Sequence, residues 1–504
     1  MCGITFFRDI DPPDEYKIQH RGPDNSQTLK IGHNVFVFHR LAINDLSSDG
    51  DQPLSLNGPM GMSYLICNGE IYNWKQIKDE CNIGDAYKSQ SDCEIILHLY
   101  QLGLPVDDIC RKLDGVFSFV LLEENGNIIA GRDPLGVRPL YWYRNHNKLA
   151  FASEYKALQF LGDDVHSFPV GSYYANSHVH TYDPISFFTD QVEPDSNNIR
   201  ELLTNAIEKH LMSDRPVAFL LSGGLDSSLV ASIASEISKH PIHTFSIGLN
   251  NESPDIKYAR KVAEHIGSKH TEVYYTPEKG INALHHVIYH LESYDCTTVR
   301  ASTPMYLLMK HISENTEFKV ILSGEGADEL FGGYIYFRNA PTAKDFQEET
   351  VKLLQNVNSF DVLRADRCTS AHGLELRVPF FDKALVNYVL SINPKYKTHI
   401  NGPTKCIEKY MLRDAFDDRT TLPDDVLWRQ KDAFSDAVGY SWIHELKKHA
   451  ATLYDDPNAE ELLYKEIYTK YYGDWDQLPY QWRPRWTTIT DPSATYLDNH
   501  ITRT

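Results

Sequence analysis

Apolar and polar residues keep one rhythm over the first 190 or so positions and another beyond them. In the first stretch, residues 33–43, 62–72, 115–123, 127–131, 140–143 and 149–152 are short runs of aliphatic, aromatic and β-branched residues bounded by turn formers, the pattern of strands. Glu124-Asn125-Gly126, between two of them, predicts a hairpin turn. One helix stands out. Ser91 and Glu94 have the spacing of a capping box, Ile95, Ile96, Leu99 and Leu102 follow at helical intervals, and Gly103 and Pro105 stop it. Many strands and few helices predict packed antiparallel sheets in an α+β arrangement.

Residues 183–198 (DPISFFTDQVEPDSNN) are polar and carry Pro184 and Pro194, which predicts a boundary between a domain at 2–190 and another at 195–504. Past it, strands and helices alternate. A helix over 198–212 precedes the apolar run Val217-Ala218-Phe219-Leu220-Leu221; a strand at 243–249, a helix near 255–266 and strands at 271–275 and 318–322 follow. The alternation predicts an α/β, doubly wound parallel sheet with ligands at the C-terminal ends of its strands. Residues after about 340 read as mostly helical.

Composition narrows the classes open to the chain. Its 504 residues suffice for two or three cores, and 42% hydrophobic with 23% charged residues is a soluble globular balance. No run of 18 apolar residues occurs, so no membrane span is expected, and the opening Met1-Cys2-Gly3 soon turns charged, unlike a secretory signal. A net charge of −20 argues against nucleic acid as a general partner. The eight cysteines lack metal-ligand spacing and read as reduced thiols of a cytoplasmic protein. The oligomeric state stays open, a homodimer included.

Two glycine-rich segments carry the chemistry of the second stretch. After the run 217–221 come Ser222-Gly223-Gly224-Leu225-Asp226-Ser227-Ser228 and a helical pattern with Leu229, Val230 and Ile233 on one face. Strand, glycine turn and helix N-terminus together make an anion site, because backbone N–H groups, hydroxyls and the helix dipole all face the turn. An ordinary strand-to-helix turn is the simpler alternative. Three serines, two glycines and an acid within seven residues favour a phosphate. The G-x-x-x-x-G-K-[ST] loop is absent; the SGGxDS pattern resembles the pyrophosphate loop of enzymes that split ATP between its α and β phosphates. The second segment, Ser323-Gly324-Glu325-Gly326-Ala327-Asp328-Glu329, also ends a predicted strand. Its glycines and carboxylates suit Mg²⁺-ATP, with Asp226 and Asp328 able to hold magnesium from two sides. Glu325 could take a proton from an attacking amine or orient a second substrate. Arg364 to Arg367 and Gly373 to Pro379 read as structural ion pairs.

At the front end, Cys2 becomes residue one if Met1 is removed, placing a thiol beside an α-amine whose ordinary pKa is about 7.7–8.0, low enough to act as its base. Its companions are His20-Arg21-Gly22-Pro23-Asp24, the run from His39-Arg40 to Ile43, Cys67-Asn68-Gly69-Glu70 and Ser91-Asp92. An arginine with two acids could clamp the carboxylate and ammonium of an amino acid. Asn68 and the Gly69 N–H could form an oxyanion hole. Asp92 also fits the first turn of a helix.

The whole chain resembles glutamine-hydrolysing asparagine synthetases. MCGI, HRGPD, HRLAI, NGEIYN and SDCE match the class II glutaminase half, an N-terminal nucleophile (Ntn) hydrolase of αββα layering. LLSGGLDSS, HTFSIGL, TTVRASTPMYL, SGEGADELFGGY, GLELRVPFFD and WRQKDAFSD match the synthetase half, a PP-loop ATP pyrophosphatase. The resemblance implies that Cys2 forms a γ-glutamyl thioester and that Arg40, Asn68, Gly69, Glu70 and Asp92 bind glutamine. It implies an ATP site at Leu220, Ser222, Gly223, Gly224, Asp226, Ser227, Ile247, Ser323 and Gly324, with Lys431 on the phosphates. Glu325 serves β-aspartyl-AMP formation, and Thr298 and Arg300 lie near the aspartyl and phosphate groups. The implied reaction converts L-aspartate, L-glutamine and Mg²⁺-ATP to asparagine, glutamate, AMP and pyrophosphate, with ammonia passing internally.

One departure concerns packing. Where the family inserts a helix between the first strand and His20, this chain has only Arg8 to Gln19, with Pro12-Pro13 inside. Three rivals are weaker. A β-lactam synthetase-like relative often loses the nucleophilic cysteine, a phosphoribosyl-pyrophosphate amidotransferase needs a phosphoribosyl loop absent here, and a silent nitrogen sensor predicts damaged loops.

Overall fold

The computed structural model describes residues 1–13, 17–185, 191–397, 407–430, 441–475 and 482–487. Two six-stranded antiparallel sheets occupy the first part of the chain. In spatial order the first runs Val165–Ser167, Tyr141–Asn145, Lys148–Ala152, Gly3–Arg8, Asn34–Arg40, Asn25–Ile31. The second runs His178–Thr181, Ser172–Ala175, Ile128–Arg132, Gly115–Leu122, Gly61–Ile71, Leu54–Gly58. Period-two alternation decides how they stack. Ile4, Phe6, Phe36, Phe38 and Phe151 of the first sheet meet Ile66, Val120, Leu122, Ile128 and Ala130 of the second in one buried layer. Burying each large side chain there contributes about 1.5–3 kcal/mol.

The six strands expected here are present, and the turn at 124–126 forms, with Gly126 at φ +89. Strands such as Asn25–Ile31 escaped the pattern because they lie at an edge: NSQTLKI is mostly exposed and is held by its backbone ladder to Asn34–Arg40. The expected capping box does not form. Ser91 makes no side-chain cap, and the Glu94 carboxylate turns back to accept from the Lys88 and Ser89 N–H groups at 2.8 and 2.7 Å. Leu102, expected on the apolar face, is 53% exposed because Ile95–Gln101 ends before it.

Helices Trp74–Glu80, Ile95–Gln101 and Val106–Lys112 pack on the outer face of the second sheet. The outer face of the first sheet is covered differently. Phe7, Val35, Val37, Ala150 and Val165 share a core with residues from beyond 199, and Tyr155 stacks on Trp475 at 3.5 Å between centroids. Ile18, in the shortened segment, is fully buried beside Phe7. Residues of the later part of the chain thus cover part of this outer face.

The third sheet is parallel, in the order Lys269–Tyr274, His243–Gly248, Val217–Leu220, Val320–Leu322, Glu375–Arg377. The order reverses at Val217–Leu220, so the crevice at a doubly wound switch point falls where both glycine segments begin. Helices dominate beyond residue 343.

Between the first sheet and this later part lies a buried cluster of three cations and three carboxylates: Arg21, Lys156, Arg367, Glu154, Glu292 and Asp366. Arg367 Nη1 is 2.8 Å from Glu154 and its Nη2 2.9 Å from Glu292; Arg21 Nη1 is 2.7 Å from Glu154 and 2.8 Å from Asp366. Against the opposing effect of burial, Lys156, Arg367 and His20 hold the Glu154 carboxyl well below its usual range. Arg367→Met strips a cation from two buried carboxylates, and removing one partner of a buried pair costs about 3–5 kcal/mol. The first urea transition should therefore fall in midpoint, whereas Lys344→Ala, at an exposed pair with Glu348, should leave it in place.

Candidate functional site

The central strand of the first sheet starts at Gly3, so Cys2 sits at its head, facing strand Gly61–Ile71 of the second sheet. Its N–H donates to Asn68 Oδ1 at 3.0 Å, its Sγ lies 3.8 Å from the Leu41 carbonyl, and Arg21 Nε donates to its carbonyl at 3.1 Å. The other amide atom, Asn68 Nδ2, is buried with no hydrogen-bond partner, a donor ready for an incoming oxygen. Gly69 is required by closeness of the strands: a Cβ there would lie 2.7 Å from the Val116 carbonyl.

Glu70 and Asp92 converge on Asn44, whose Nδ2 lies 2.7 Å from Glu70 Oε2 and 3.4 Å from Asp92 Oδ1. Asp92 also accepts from the Ile71 N–H at 2.6 Å, and burial pushes its carboxyl up to about 6. Burial likewise pushes Glu70 well up, although Arg377 stands 3.2 Å away. Arg40 closes the rim, donating to the Ser47 carbonyl at 2.6 Å, to Asp51 at 2.7 Å and to the Asp45 carbonyl. The Cys2 thiol is raised by burial, with the neighbouring terminal amine opposing. That amine belongs here to Met1, which is buried and pairs with Glu375 at 3.3 Å.

The second site lies in a cleft of the parallel sheet. Val217–Leu220 runs into the turn at Gly223, whose φ of +73 and close approach to the Ala259 N (2.4 Å for a Cβ) both demand glycine. Helix Leu225–Ile237 starts immediately after, and Ser222 and Ser227 join hydroxyls at 3.0 Å. The second glycine segment rests on this turn: a Cβ at Gly324 would lie 2.6 Å from the Ser227 N. The two loops therefore face one space, lined by Leu220, Ser222, Gly224, Asp226, Ser227, Ile247, Ser323, Gly324, Glu325 and Asp328. Gly223 supports this lining from behind, its carbonyl accepting from Arg429 at 3.2 Å.

Asp226 and Asp328 converge on Lys409, whose Nζ is 2.7 Å from both Asp226 oxygens and from Asp328 Oδ1. Two carboxylates that share one cation have the spacing and charge for a hard divalent ion completed by phosphate oxygens. Among the described residues no group of three or more His, Cys, Asp or Glu gathers as an all-protein metal cage. Glu325 is held by Arg364 at 2.7 Å, which also binds Asp361 at 2.8 Å.

Other expected residues fall elsewhere. Asp295 caps helix Cys296–Asn315, its carboxylate accepting from the Thr298 N–H at 2.9 Å and from the Thr298 hydroxyl at 2.8 Å. Arg300 makes a fork to Glu460, both contacts 2.7 Å. Neither lines the cleft, although Met305 and Leu308 of the same helix do. Lys431 lies outside the described residues. Reasoning from sequence passed over Asn44, Gln52 and Lys409. Gln52 clamps the Cys67 backbone on both sides, at 2.6 and 3.2 Å. These residues have no pattern of their own: only the fold brings Lys409, 183 positions away, to Asp226.

Comparison with known proteins adds an independent line. A family model described as a glutamine amidotransferase domain matches residues 1–201, and one described as asparagine synthase matches 198–347 and 338–496. The asparagine synthetases [glutamine-hydrolyzing] of Gallus gallus and Homo sapiens are each 40% identical to this chain, and that of Bos taurus 41%; each comparison covers 99% of both chains. The alignments run over 565 positions against 504 residues, so the relatives carry segments this chain lacks. No helix among the described residues is long and apolar enough to cross a membrane. With identity at this level over its full length, the chain belongs to the family of glutamine-hydrolysing asparagine synthetases.

Proposed function

We propose that this enzyme makes L-asparagine from L-aspartate, taking nitrogen from L-glutamine and splitting ATP to AMP and pyrophosphate. The observation that most supports this reading is the meeting of the two glycine loops, Gly324 against the Ser227 N, around Asp226, Asp328 and Glu325.

At the first site the α-amine, freed on Cys2 by loss of Met1, takes the thiol proton. Sγ then attacks the glutamine carboxamide carbon, and Asn68 Nδ2 with the Gly69 N–H stabilises the oxyanion. Collapse transfers the proton to the leaving nitrogen, releases ammonia and leaves a γ-glutamyl thioester, which water hydrolyses to glutamate and free thiol. Glu70 and Asp92 hold the substrate ammonium, and Arg40 its carboxylate.

At the second site an aspartate β-carboxylate oxygen attacks the α-phosphorus and pyrophosphate leaves, giving β-aspartyl-AMP. Ammonia attacks the acyl carbon and AMP departs. A bare carboxylate lacks a leaving group, so adenylation has to come first. Glu325, aimed by Arg364, orients aspartate for this adenylation and afterwards takes a proton from the attacking nitrogen. The Ser222–Ser227 turn and Lys431 hold phosphate oxygens. Asp226 and Asp328 would hold Mg²⁺, which neutralises phosphate charge. The compartment is the cytoplasm, consistent with the seven described cysteines being free thiols.

Three outcomes test these assignments. With aspartate, Mg²⁺-ATP and amide-¹⁵N glutamine, the parent should form ¹⁵N-asparagine, Cys2→Ala should form none, and added ammonia should restore synthesis in that variant. Glu325→Gln should slow aspartate-dependent exchange of pyrophosphate into ATP by about 10²-fold or more; unchanged exchange rejects its role. Because Asp92 is pushed up to about 6, it binds its proton below that pH and loses its hold on the substrate ammonium. The kcat/KM for glutamine should then steepen its fall below pH 6, by up to about a further tenfold per pH unit, and Asp92→Asn should make that fall shallower, the raised Glu70 carboxyl accounting for what remains.

A further inference from the structure

Arg377 is clamped to both sites at once. It ends the edge strand Glu375–Arg377, opposite Leu322, and its carbonyl accepts from the Ser323 N–H at 3.0 Å, at the root of the second glycine loop. Its fully buried guanidinium faces the other site. Nη2 stands 3.2 Å from Glu70 Oε2, Nε donates to Glu375 at 2.8 Å, and Nη1 donates to the His210 carbonyl at 2.8 Å and to that of Met212. Thus Glu70 of the glutamine pocket is held from the parallel sheet by a residue whose main chain anchors the nucleotide loop.

We propose that Arg377 is a positioning residue through which an occupied nucleotide cleft strengthens glutamine binding at the first site. The inference rests on the function proposed above. Glu70 is shared between Arg377 and the substrate ammonium, so its readiness depends on where the guanidinium is held. Phosphates seated on the Ser323 loop fix the Arg377 carbonyl and with it the single Nη2 contact on Glu70. A second ligand then meets a pocket that costs less to order. Linkage of this kind is reciprocal: each ligand tightens the other by the same factor.

The test uses the full-length Cys2→Ala chain, so that glutamine is bound and not consumed, with Mg²⁺ and α,β-methylene-ATP, which resists cleavage between its α and β phosphates. Calorimetry should show glutamine binding at least threefold tighter with the analogue present, and the analogue tightened equally by glutamine. Adding Arg377→Lys keeps a positive charge without the planar fork; both ligands should still bind and the factor should fall to one. A purely structural Arg377 would weaken both affinities and leave the factor unchanged. That result overturns the proposal, and so does independent binding in the Arg377 parent, whatever the variant does. Failure of either ligand to bind the parent at all would instead reject the functional reading on which the linkage rests.

Discussion

Glu154 is the point about which the two sites are held in register. It is fully buried and pairs with Arg21 and Arg367 through one oxygen and with Lys156 through the other, while Glu292 and Asp366 complete the charge balance. A buried ion cluster of this kind adds little net stability over a well-packed apolar contact, since desolvation offsets most of the attraction. It does penalise misplacement severely, because any shift that strands one charge in low dielectric costs several kcal/mol. An apolar interface tolerates sliding; this one does not.

That intolerance reaches the reacting groups through one short helix. In Asp361–Ser370, Asp366 takes the fork of Arg21, whose Nε also binds the Cys2 carbonyl, and Arg364 holds Glu325. Two residues of spacing on the helix separate the anchor of the thiol from the anchor of the acid in the cleft. The expectation that Arg364 to Arg367 form structural ion pairs therefore understates them: they are structural, and they aim both sites.

How much of this could be read in advance follows from what leaves a local trace. The parallel sheet was legible because buried strands such as Val217–Leu220 and glycine turns such as Gly223 write their constraints into adjacent residues. The glutaminase motifs were legible for the same reason. Edge strands like Asn25–Ile31 were not, since a backbone ladder leaves no apolar period. Ser91 misled because the Glu94 carboxylate found two N–H groups upstream, a choice set by the preceding chain and not by spacing. Lys409 and Asn44 were invisible because their meaning is a long-range meeting, with Asp226 in one case and with Glu70 and Asp92 in the other.

The same charge accounting explains how the junction can survive the loss of Met1 that an N-terminal thiol nucleophile requires. Glu375 is drawn down to about 2 against burial by the Met1 amine and then by Arg377 and Arg138. Excision removes the amine at 3.3 Å but leaves Arg377 at 2.8 Å and Arg138 at 3.7 Å, so the carboxylate keeps two cations. The nitrogen that becomes the new terminus already has its partner in Asn68 Oδ1 at 3.0 Å. Processing therefore leaves Glu375 its arginines, and the group it creates starts in contact with Asn68, whose other amide atom, Nδ2, is buried without a partner.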